Sequence, residues 1–401
     1  MRVAIIADDL TGAADTGVQL ARAGYRTAVA FRGAPVPPAE DLDAVALDTD
    51  SRAMPAGFAA KRVVETARAV RDAPIVYKKL DSTLRGPIAA ELVAALGASG
   101  RERAVVAPAF PSAERTTLEG VQLVRGVPVH ETEAKSDPRT PVREGHVPTL
   151  LSAAFPSVLS LSAEDLADPT AVRRALGSAA CVVADAAHDE DLEALVRAVP
   201  DPHEVLWAGS AGLAVALGVV YPGPRADTTS SPPTPARKVL VVVGSLSGVT
   251  RRQLRSLEEQ GCAAVPVGIG RTNAREALRL ARAALSGAAL SGGACAAVHS
   301  AESRDASDAG TVVGALAEVV GALSEEGLFD ALVLTGGDTA VGVARRLGAV
   351  GIKLEGEVEP GIPVGTLIGP SPYRVVTKAG AFGEQGTLVG AVETLLDGWE
   401  G

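Results

Sequence analysis

Residues 1–15 read MRVAIIADDLTGAAD, in which a short apolar strand, VAIIA (3–7), ends in two aspartates and continues into a helix. Asp8 and Asp9 would leave that strand at the carboxyl edge of a parallel sheet, where open α/β folds bind their ligands. Adjacent carboxylates at such an edge can orient a hydroxyl group, take its proton or hold a cation. Capping of the helix by Asp9 or Thr11 is the structural alternative. The stretch predicts an α/β fold with polar chemistry at its strand ends.

The same alternation of short apolar strands and longer amphipathic stretches continues through the first half of the chain. Further strands are predicted at TAVAF (27–31), AVALD (44–48), PIVYK (74–78), AVVAP (104–108) and CVVAD (181–185). Alternation of this kind predicts right-handed βαβ units on a largely parallel sheet.

A segment rich in proline, serine and threonine at 221–237 has the composition of a linker. We therefore expect one domain at 1–220, a hinge at 221–237 and a second domain at 238–401. The cleft between two such lobes is the expected ligand site.

The strand and helix pattern restarts after the linker. Strands are predicted at KVLVVVG (238–244), AVPVG (264–268), CAAVH (295–299) and ALVLTGG (331–337), with a helix at 273–285. From residue 350 three strands follow one another with short turns, which predicts a mixed or antiparallel extension of the second sheet.

Composition narrows the class of protein. Among 401 residues, 47% are hydrophobic and 21% are charged, which argues against a disordered or membrane protein. The chain has 38 basic and 48 acidic residues and no basic block interleaved with aromatics, so nucleic acid is not an expected partner. The N-terminus is neither a signal peptide nor a membrane span, which predicts a cytoplasmic protein. Cys181, Cys262 and Cys295 are expected to be small core residues in a reducing compartment.

A second polar run, KKLDSTLRG (78–86), directly follows the strand PIVYK. Lys79 and Arg85 could clamp a small carboxylate, the arginine through two parallel hydrogen bonds. Asp81 adds a carboxylate and Ser82 a hydroxyl near a helix start. The alternative is a capped helix start with solvated charges. Further along, Gly209 and Ser210 present backbone N–H groups at a helix N-terminus, which suits an anion.

The second half carries three glycine-rich turns, GSLSG (244–248), GGDTA (336–340) and KAGAFG (378–383). The first two join a strand to a helix, so they present unpaired N–H groups and the positive end of a helix dipole to phosphate oxygens. Together they predict a nucleotide site. The absence of the GxxxxGK[ST] and GxGxxG patterns argues against a P-loop and an ordinary dinucleotide fold.

In these motifs and their order the chain resembles the four-carbon acid sugar kinases, ATP-dependent kinases of tetronate-type sugar acids. The motifs that carry the resemblance are DDLTGAAD (8–15), KKLDSTLRG (78–86), APAFP with RTT (107–117), DPRTPV (137–142), GSAGLA (209–214), GSLSGVT (244–250), GGDTA (336–340), PGIPVGTL (360–367) and KAGAFG (378–383). Glu114 stands where the family usually has a glycine, and His146 lies where the family usually has Ser-Asn. Both lie in the lobe that the resemblance assigns to the substrate.

The resemblance implies phosphorylation of the terminal hydroxyl of 3-oxo-tetronate, D-threonate or D-erythronate, with ATP and Mg²⁺. The implied roles are as follows: catalysis by Asp8, Asp9 and Asp338; substrate binding by Lys79, Asp81, Ser82, Arg85, Gly209 and Ser210; nucleotide binding by Ser245, Ser247, Gly336, Gly337, Asp338, Thr339, Gly380 and Gly383; and Mg²⁺ binding by Asp338. The expected partners are the sugar acid and ATP, with a homodimer left open. An NAD-dependent hydroxy-acid dehydrogenase and a non-catalytic binding protein with two lobes are the alternatives.

Overall fold

The computed structural model describes residues 1–37, 41–137, 139–224, 234–268, 271–286, 294–300 and 309–397. The chain forms two compact units, Met1–Arg32 with Pro38–Ala226, and Gly33–Pro37 with Asp227–Gly401. Most of the linker predicted at 221–237 lies outside the described residues.

The first unit alternates strands with helices. Its strands are β1 (Val3–Ala7), β2 (Thr27–Ala30), β3 (Ala44–Asp48), β4 (Ile75–Lys79), β5 (Arg103–Ala107), β6 (Arg115–Leu118), β7 (Val121–Val124), β8 (Val127–Pro128), β9 (Val158–Leu161), β10 (Cys181–Ala184) and β11 (Val205–Gly209). Its helices are α1 (Leu10–Arg22), α2 (Ala56–Ala69), α3 (Ile88–Ser99), α4 (Val147–Ser152), α5 (Ala163–Leu166), α6 (Pro169–Ser178), α7 (Asp189–Ala198) and α8 (Ala211–Val220).

The main sheet of this unit has the strand order β2-β3-β1-β4-β11-β5-β10-β9, and its neighbouring strands pair in parallel. The predicted parallel sheet is therefore confirmed. Strand β1 is fully buried, as expected for a strand covered by helices on both faces. Since β3, β1 and β4 are adjacent and parallel, the loops that follow them meet at one edge.

A small antiparallel sheet, β6-β7-β8, was not predicted from the sequence. Its strands are joined by two-residue turns, Glu119-Gly120 and Arg125-Gly126, and all four turn residues have positive φ. Turns of this kind usually contain Asn-Gly or Asp-Gly. Because glutamate and arginine replace those residues here, the sequence carries no strong hairpin signal.

The second unit again alternates strands and helices. Its strands are β12 (Lys238–Val243), β13 (Ala263–Val267), β14 (Ala294–Ser300), β15 (Ala331–Thr335), β16 (Gly351–Glu359), β17 (Ile362–Ile368) and β18 (Arg374–Lys378). Its helices are α9 (Gly248–Glu259), α10 (Arg271–Ser286), α11 (Ala309–Glu325), α12 (Gly337–Arg346) and α13 (Thr387–Asp397).

The strand order of the second unit is β13-β14-β12-β15-β18-β17-β16. The pairs from β13 to β18 are parallel, whereas β17 is antiparallel to both of its neighbours. This confirms the predicted antiparallel extension. Strands β12, β15 and β18 are adjacent and parallel, so the three glycine-rich turns that follow them lie at the same edge.

The cysteines differ from expectation. Cys262 and Cys295 form a disulfide with a Cα–Cα distance of 5.1 Å, while Cys181 is free and buried. The register explains the pairing, because Ala263 of β13 lies opposite Ala296 of β14 and places the two preceding cysteines side by side. The expectation of three unpaired core thiols is wrong for this pair. No helix of the described residues is long and apolar enough to cross a membrane.

Candidate functional site

The first candidate site is built where β1, β3 and β4 end. Asp8 and Asp9 follow β1, and the loop after β3 runs directly beside them. The backbone N–H groups of Ser51 and Arg52 donate to the Asp8 carbonyl oxygen at 2.8 and 3.2 Å. This anchoring places the Arg52 side chain among the aspartates.

The guanidinium group of Arg52 lies next to the carboxylates of Asp8, Asp9 and Asp81. Its Nε and Nη2 atoms donate to Asp8 Oδ2 and Oδ1 at 2.7 and 2.9 Å, and Nη1 and Nη2 donate to Asp9 Oδ2 and Oδ1 at 2.6 and 2.8 Å. A carboxylate oxygen of Asp81 lies 3.8 Å from Nη2. Burial would raise the pKa of Asp8, but the charges of Arg52, Lys78 and Lys79 lower it. Asp8 therefore stays ionised.

Arg52 was not among the residues predicted from the sequence. Its loop, Thr49-Asp50-Ser51-Arg52, is a polar run that directly follows a strand, as do the polar runs after VAIIA (3–7) and PIVYK (74–78). That signal was available, but only the strand order shows that this loop lies beside Asp8 and Asp9.

Of the two roles predicted for Asp9, the structure shows the helix cap, and its action on a substrate hydroxyl stays a prediction. Its Oδ1 atom accepts a hydrogen bond from the Gly12 N–H at 2.8 Å and caps helix α1. The side chain is also 29% exposed, against 4% for Asp8. Asp9 is therefore the aspartate of the pair that a ligand can reach.

Two neighbouring lysines end β4 in different surroundings. Lys78 is fully buried, and its Nζ lies 2.9 Å from Glu91 Oε2. Lys79 Nζ donates to the Leu80 carbonyl at 2.8 Å. A methyl group added to Gly12 would lie 3.3 Å from Lys79 Nζ, so this ammonium group is next to the start of α1. Lys78 is thus a core ion pair, whereas the ammonium of Lys79 belongs to the Asp9 neighbourhood.

The loop after β4 carries Asp81, Ser82 and Arg85. Arg85 donates from Nε and Nη2 to Asp81 at 2.8 and 3.1 Å, and its Nη1 lies 3.5 Å from Asp137. Burial would raise the pKa of Asp81, but the charges of Arg52, Arg85 and Lys79 hold it well below its usual range. The structure therefore brings Asp81 and Arg85 into the same cluster as Arg52.

This loop is held in a strained conformation. Leu84 has a φ of 58°, and Gly86 has a φ of 97°. The buried Gln122 side chain donates to the Ser82 carbonyl oxygen at 2.9 Å and fixes the loop against β7. Non-glycine residues with positive φ persist where the surroundings determine the backbone, which is common at functional sites.

Gly209 and Ser210 lie next to this cluster. The Gly209 carbonyl accepts from the Leu80 N–H at 2.7 Å. Ser210 caps helix α8 by accepting from the Gly212 N–H at 3.1 Å, and its hydroxyl donates to the Ala109 carbonyl at 2.7 Å. Both residues fix the backbone around the site, and their contact with an anion stays a prediction.

The second candidate site is formed by the three glycine-rich turns. Ser247 caps α9 by accepting from the Val249 N–H at 3.3 Å. The three turns pack closely against one another. A methyl group added to Gly380 would lie 2.1 Å from Ser245 Oγ, and one added to Gly244 would lie 1.8 Å from Thr339 Oγ1, so neither position has room for a side chain. The structure thus brings together the residues predicted from all three turns.

The remaining residues of the second site lie on the same edge. Gly336 has a φ of 91° at the start of α12, and Gly337 and Asp338 follow in the first turn of that helix. Gly383 has a φ of 80°, and a methyl group there would lie 2.4 Å from Thr387 Oγ1. Asp338 is exposed. In the part of the chain that the structure describes, no group of three or more histidine, cysteine or acidic side chains is placed to hold a metal.

Two sequence-family models match the chain. A sugar-binding N-terminal domain matches residues 3–217, and a nucleotide-binding C-terminal domain matches residues 240–388. The first of these domains contains the Arg52 cluster, and the second contains the three glycine-rich turns.

Solved structures agree with the fold. A Salmonella typhimurium protein described as a putative tRNA synthase superposes with a TM-score of 0.84 at 24% identity, covering 98% of this chain and 99% of its own. A Bordetella bronchiseptica protein, a domain-swapped dimer with bound citrate, has a TM-score of 0.50 at 35% identity and covers 98% of both chains.

Characterised relatives span nearly the whole chain. A D-threonate kinase of Salmonella typhimurium is 37% identical and covers 98% of both chains. A D-erythronate kinase of Heliobacterium modesticaldum is 33% identical with the same coverage. A 3-oxo-tetronate kinase of Methylobacterium radiotolerans is 30% identical and covers 94% of this chain and 95% of its own. With its sugar-binding and nucleotide-binding domains, the chain belongs to the four-carbon acid sugar kinase family and is a phosphotransferase that acts on an alcohol group.

Proposed function

We propose that this enzyme transfers the γ-phosphoryl group of ATP to the terminal hydroxyl of a four-carbon sugar acid, with D-threonate as the first substrate to test. Three relatives named D-threonate kinase are 34% to 38% identical, above one named D-erythronate kinase at 33% and four named 3-oxo-tetronate kinase at 28% to 30%. This ranking supports the order of testing.

The observation that carries the proposal is the cluster around Arg52. It combines carboxylates, which accept hydrogen bonds from sugar hydroxyls, with cationic groups, which bind the carboxylate of the acid. We assign the hydroxyl groups to Asp9, since that side chain is partly exposed and is held in place by Arg52. Lys79 and Arg85 are assigned to the substrate carboxylate, with Asp81 fixing the orientation of Arg85.

In the proposed reaction, the substrate hydroxyl oxygen attacks the γ-phosphorus while its proton passes to a carboxylate of the cluster, and ADP leaves. Positioning and charge stabilisation supply most of the catalysis in such transfers. Arg52 keeps Asp8 ionised and fixes Asp9, so the carboxylates that would orient the hydroxyl are held in place.

ATP is assigned to the three turns of the second unit, where helices α9 and α12 begin. Asp338 fits a role beside Mg²⁺, because this ion is commonly held by one or two carboxylates together with substrate phosphates. When bound, Mg²⁺ would offset the negative charge of the phosphate chain.

The test is an ADP-release assay with Mg-ATP and D-threonate, D-erythronate, 3-oxo-tetronate or threitol, which lacks the carboxylate. We expect turnover with at least one acid and none with threitol, and phosphorus NMR should place the new phosphate on the terminal oxygen. Acid binding without ADP release would contradict the proposal.

The assembly is part of the same proposal. Because a Bordetella bronchiseptica relative is a domain-swapped dimer, we propose that this chain also forms a homodimer. Light scattering coupled to gel filtration tests this, and a mass of one chain would contradict it.

A further inference from the structure

Among the residues that the structure describes, three buried lysines lie at the ends of strands β4 and β18. Lys78 is 0% exposed, and Lys79 and Lys378 are each 4% exposed. Lys78 has Glu91 as its counter-ion, and Lys79 lies in the cluster that contains Asp8 and Asp9. Lys378, at the end of β18, forms no ion pair within the described residues.

The contacts of Lys378 are with neutral oxygens. Its Nζ donates to the Ala379 carbonyl at 2.9 Å and to Thr250 Oγ1 at 3.2 Å. An ammonium group has three N–H donors, so one donor of Lys378 has no acceptor in the described part of the chain. A buried charge without a partner is costly. An anionic ligand would remove this cost.

Lys378 also lies between the turns of the second site. Its carbonyl accepts from the Gly336 N–H at 2.9 Å, next to the start of α12. Thr250, in the first turn of α9, donates to the Gly380 carbonyl at 2.6 Å. Thr250 therefore contacts both the ammonium group and the third turn, and it fixes their relative position.

We infer that Lys378 contacts the phosphate chain of the bound nucleotide and supplies the counter-charge in this site, with Thr250 positioning its ammonium group. The inference rests on the proposed function, which assigns ATP to these three turns. It adds a cationic side chain to the residues assigned above to ATP, which are serines, glycines, a threonine and Asp338.

The protonation of Lys378 gives the inference a specific signature. Burial lowers the pKa of Lys378 to about 8, and the charge of Glu359 on β16 opposes this effect. Charged or titratable residues on the elements next to the three turns include Arg251 and Arg252 on α9, His299 on β14, Asp338 on α12 and Glu384 before α13. A phosphate beside Lys378 would raise its pKa, so binding near pH 8 must take up protons.

The experiment is calorimetric titration of the full chain with a non-hydrolysable ATP analogue and Mg²⁺ at pH 8, in two buffers that differ in ionisation enthalpy. The unchanged protein is expected to take up roughly half a proton per site. Lys378→Met should weaken analogue binding about tenfold or more, as loss of a charge-assisted hydrogen bond does, and abolish the uptake. Lys378→Arg should retain part of the affinity but show no uptake, since arginine does not titrate.

Lys353→Met is the matched control, because Lys353 is an exposed lysine on β16 of the same unit. The affinity of this variant for the ATP analogue and its proton uptake should match those of the unchanged protein. Circular dichroism and thermal unfolding check that each variant is folded. If Lys378→Met binds the analogue normally with normal proton uptake, the assignment of Lys378 is wrong while the kinase proposal stands. If the unchanged protein binds no analogue, both are overturned.

Discussion

The guanidinium group of Arg52 binds both carboxylate oxygens of Asp8, from Nε to Oδ2 at 2.7 Å and from Nη2 to Oδ1 at 2.9 Å. The same group binds both oxygens of Asp9. Planar, two-pronged contacts of this kind require arginine, since lysine is a point charge. Arg52 therefore fixes the geometry of the two carboxylates, and its charge favours the ionised form of each.

Arg52→Lys should consequently impair the enzyme although the charge is kept. We expect kcat/KM for D-threonate to fall by about tenfold to a hundredfold, because charge-assisted hydrogen bonds contribute about 1.5–3 kcal/mol each. The KM for ATP should stay the same. Steady-state kinetics checks this, with Arg68→Lys as the control because Arg68 is exposed on α2. Equal losses in both variants would contradict a specific role of Arg52.

Arg85→Ala should raise the KM for the sugar acid by about tenfold, since it removes a charge-assisted contact of the proposed carboxylate site. Arg85→Lys should not restore binding, because lysine cannot reproduce the two hydrogen bonds that Arg85 makes to Asp81. The KM values for the acid and for ATP, measured separately, test this. A normal acid KM in both variants would exclude Arg85 from the site.

Most strands of the two main sheets could be predicted from sequence because each is a short apolar run followed by polar or glycine-rich residues; β9 and β11, like the small sheet β6-β7-β8, were not predicted. VAIIA (3–7) and AVALD (44–48) were predicted with their observed bounds. What the sequence lacks is the lateral order of the strands. Arg52 is 43 residues from Asp9, and only the adjacency of β3 and β1 brings them together.

At two positions where the chain departs from the family pattern, the sequence also does not show what the residue does in the fold. Glu114 has a φ of 60°, a conformation that glycine adopts without strain, and its carboxylate pairs with the exposed Arg125 at 2.9 Å. His146 caps helix α4. The sequence places both residues in the substrate domain, but it does not show that Glu114 serves a surface turn and His146 a helix start.

Gly380→Ala tests the close packing of the turns in the second site. Its methyl group would lie 2.1 Å from Ser245 Oγ, so one of the two turns must move. Overpacking of this kind costs about 1–3 kcal/mol, and we expect the KM for ATP to rise about tenfold while D-threonate binding is kept. Gly386→Ala is the control in the same loop, because nothing lies within 4 Å of its added methyl group. Similar ATP kinetics in the two variants would contradict this arrangement.

Asp48 gives a prediction for stability. The residue ends β3, and its Oδ1 atom accepts from the Asp50 N–H at 2.8 Å. Burial, together with the charges of Asp9, Asp50 and Asp8, raises the pKa of Asp48 from 3.8 to about 7. Between these two pH values the folded protein keeps a proton that the unfolded chain has released. The stability of the folded state should therefore fall as the pH rises from about 4 to 7.

Asp48→Asn removes this titration and keeps an oxygen for the Asp50 N–H. Because a tenfold change in an equilibrium constant corresponds to about 1.36 kcal/mol, the rise of the pKa from 3.8 to about 7 implies a gain of up to about 4 kcal/mol at pH 8. The gain at pH 5 should be smaller, since the native carboxyl is still protonated there. Thermal unfolding at both pH values measures the difference, with Asp72→Asn as the control because that side chain is 96% exposed. A gain of equal size at both pH values would point to a packing effect and not to the ionisation of Asp48.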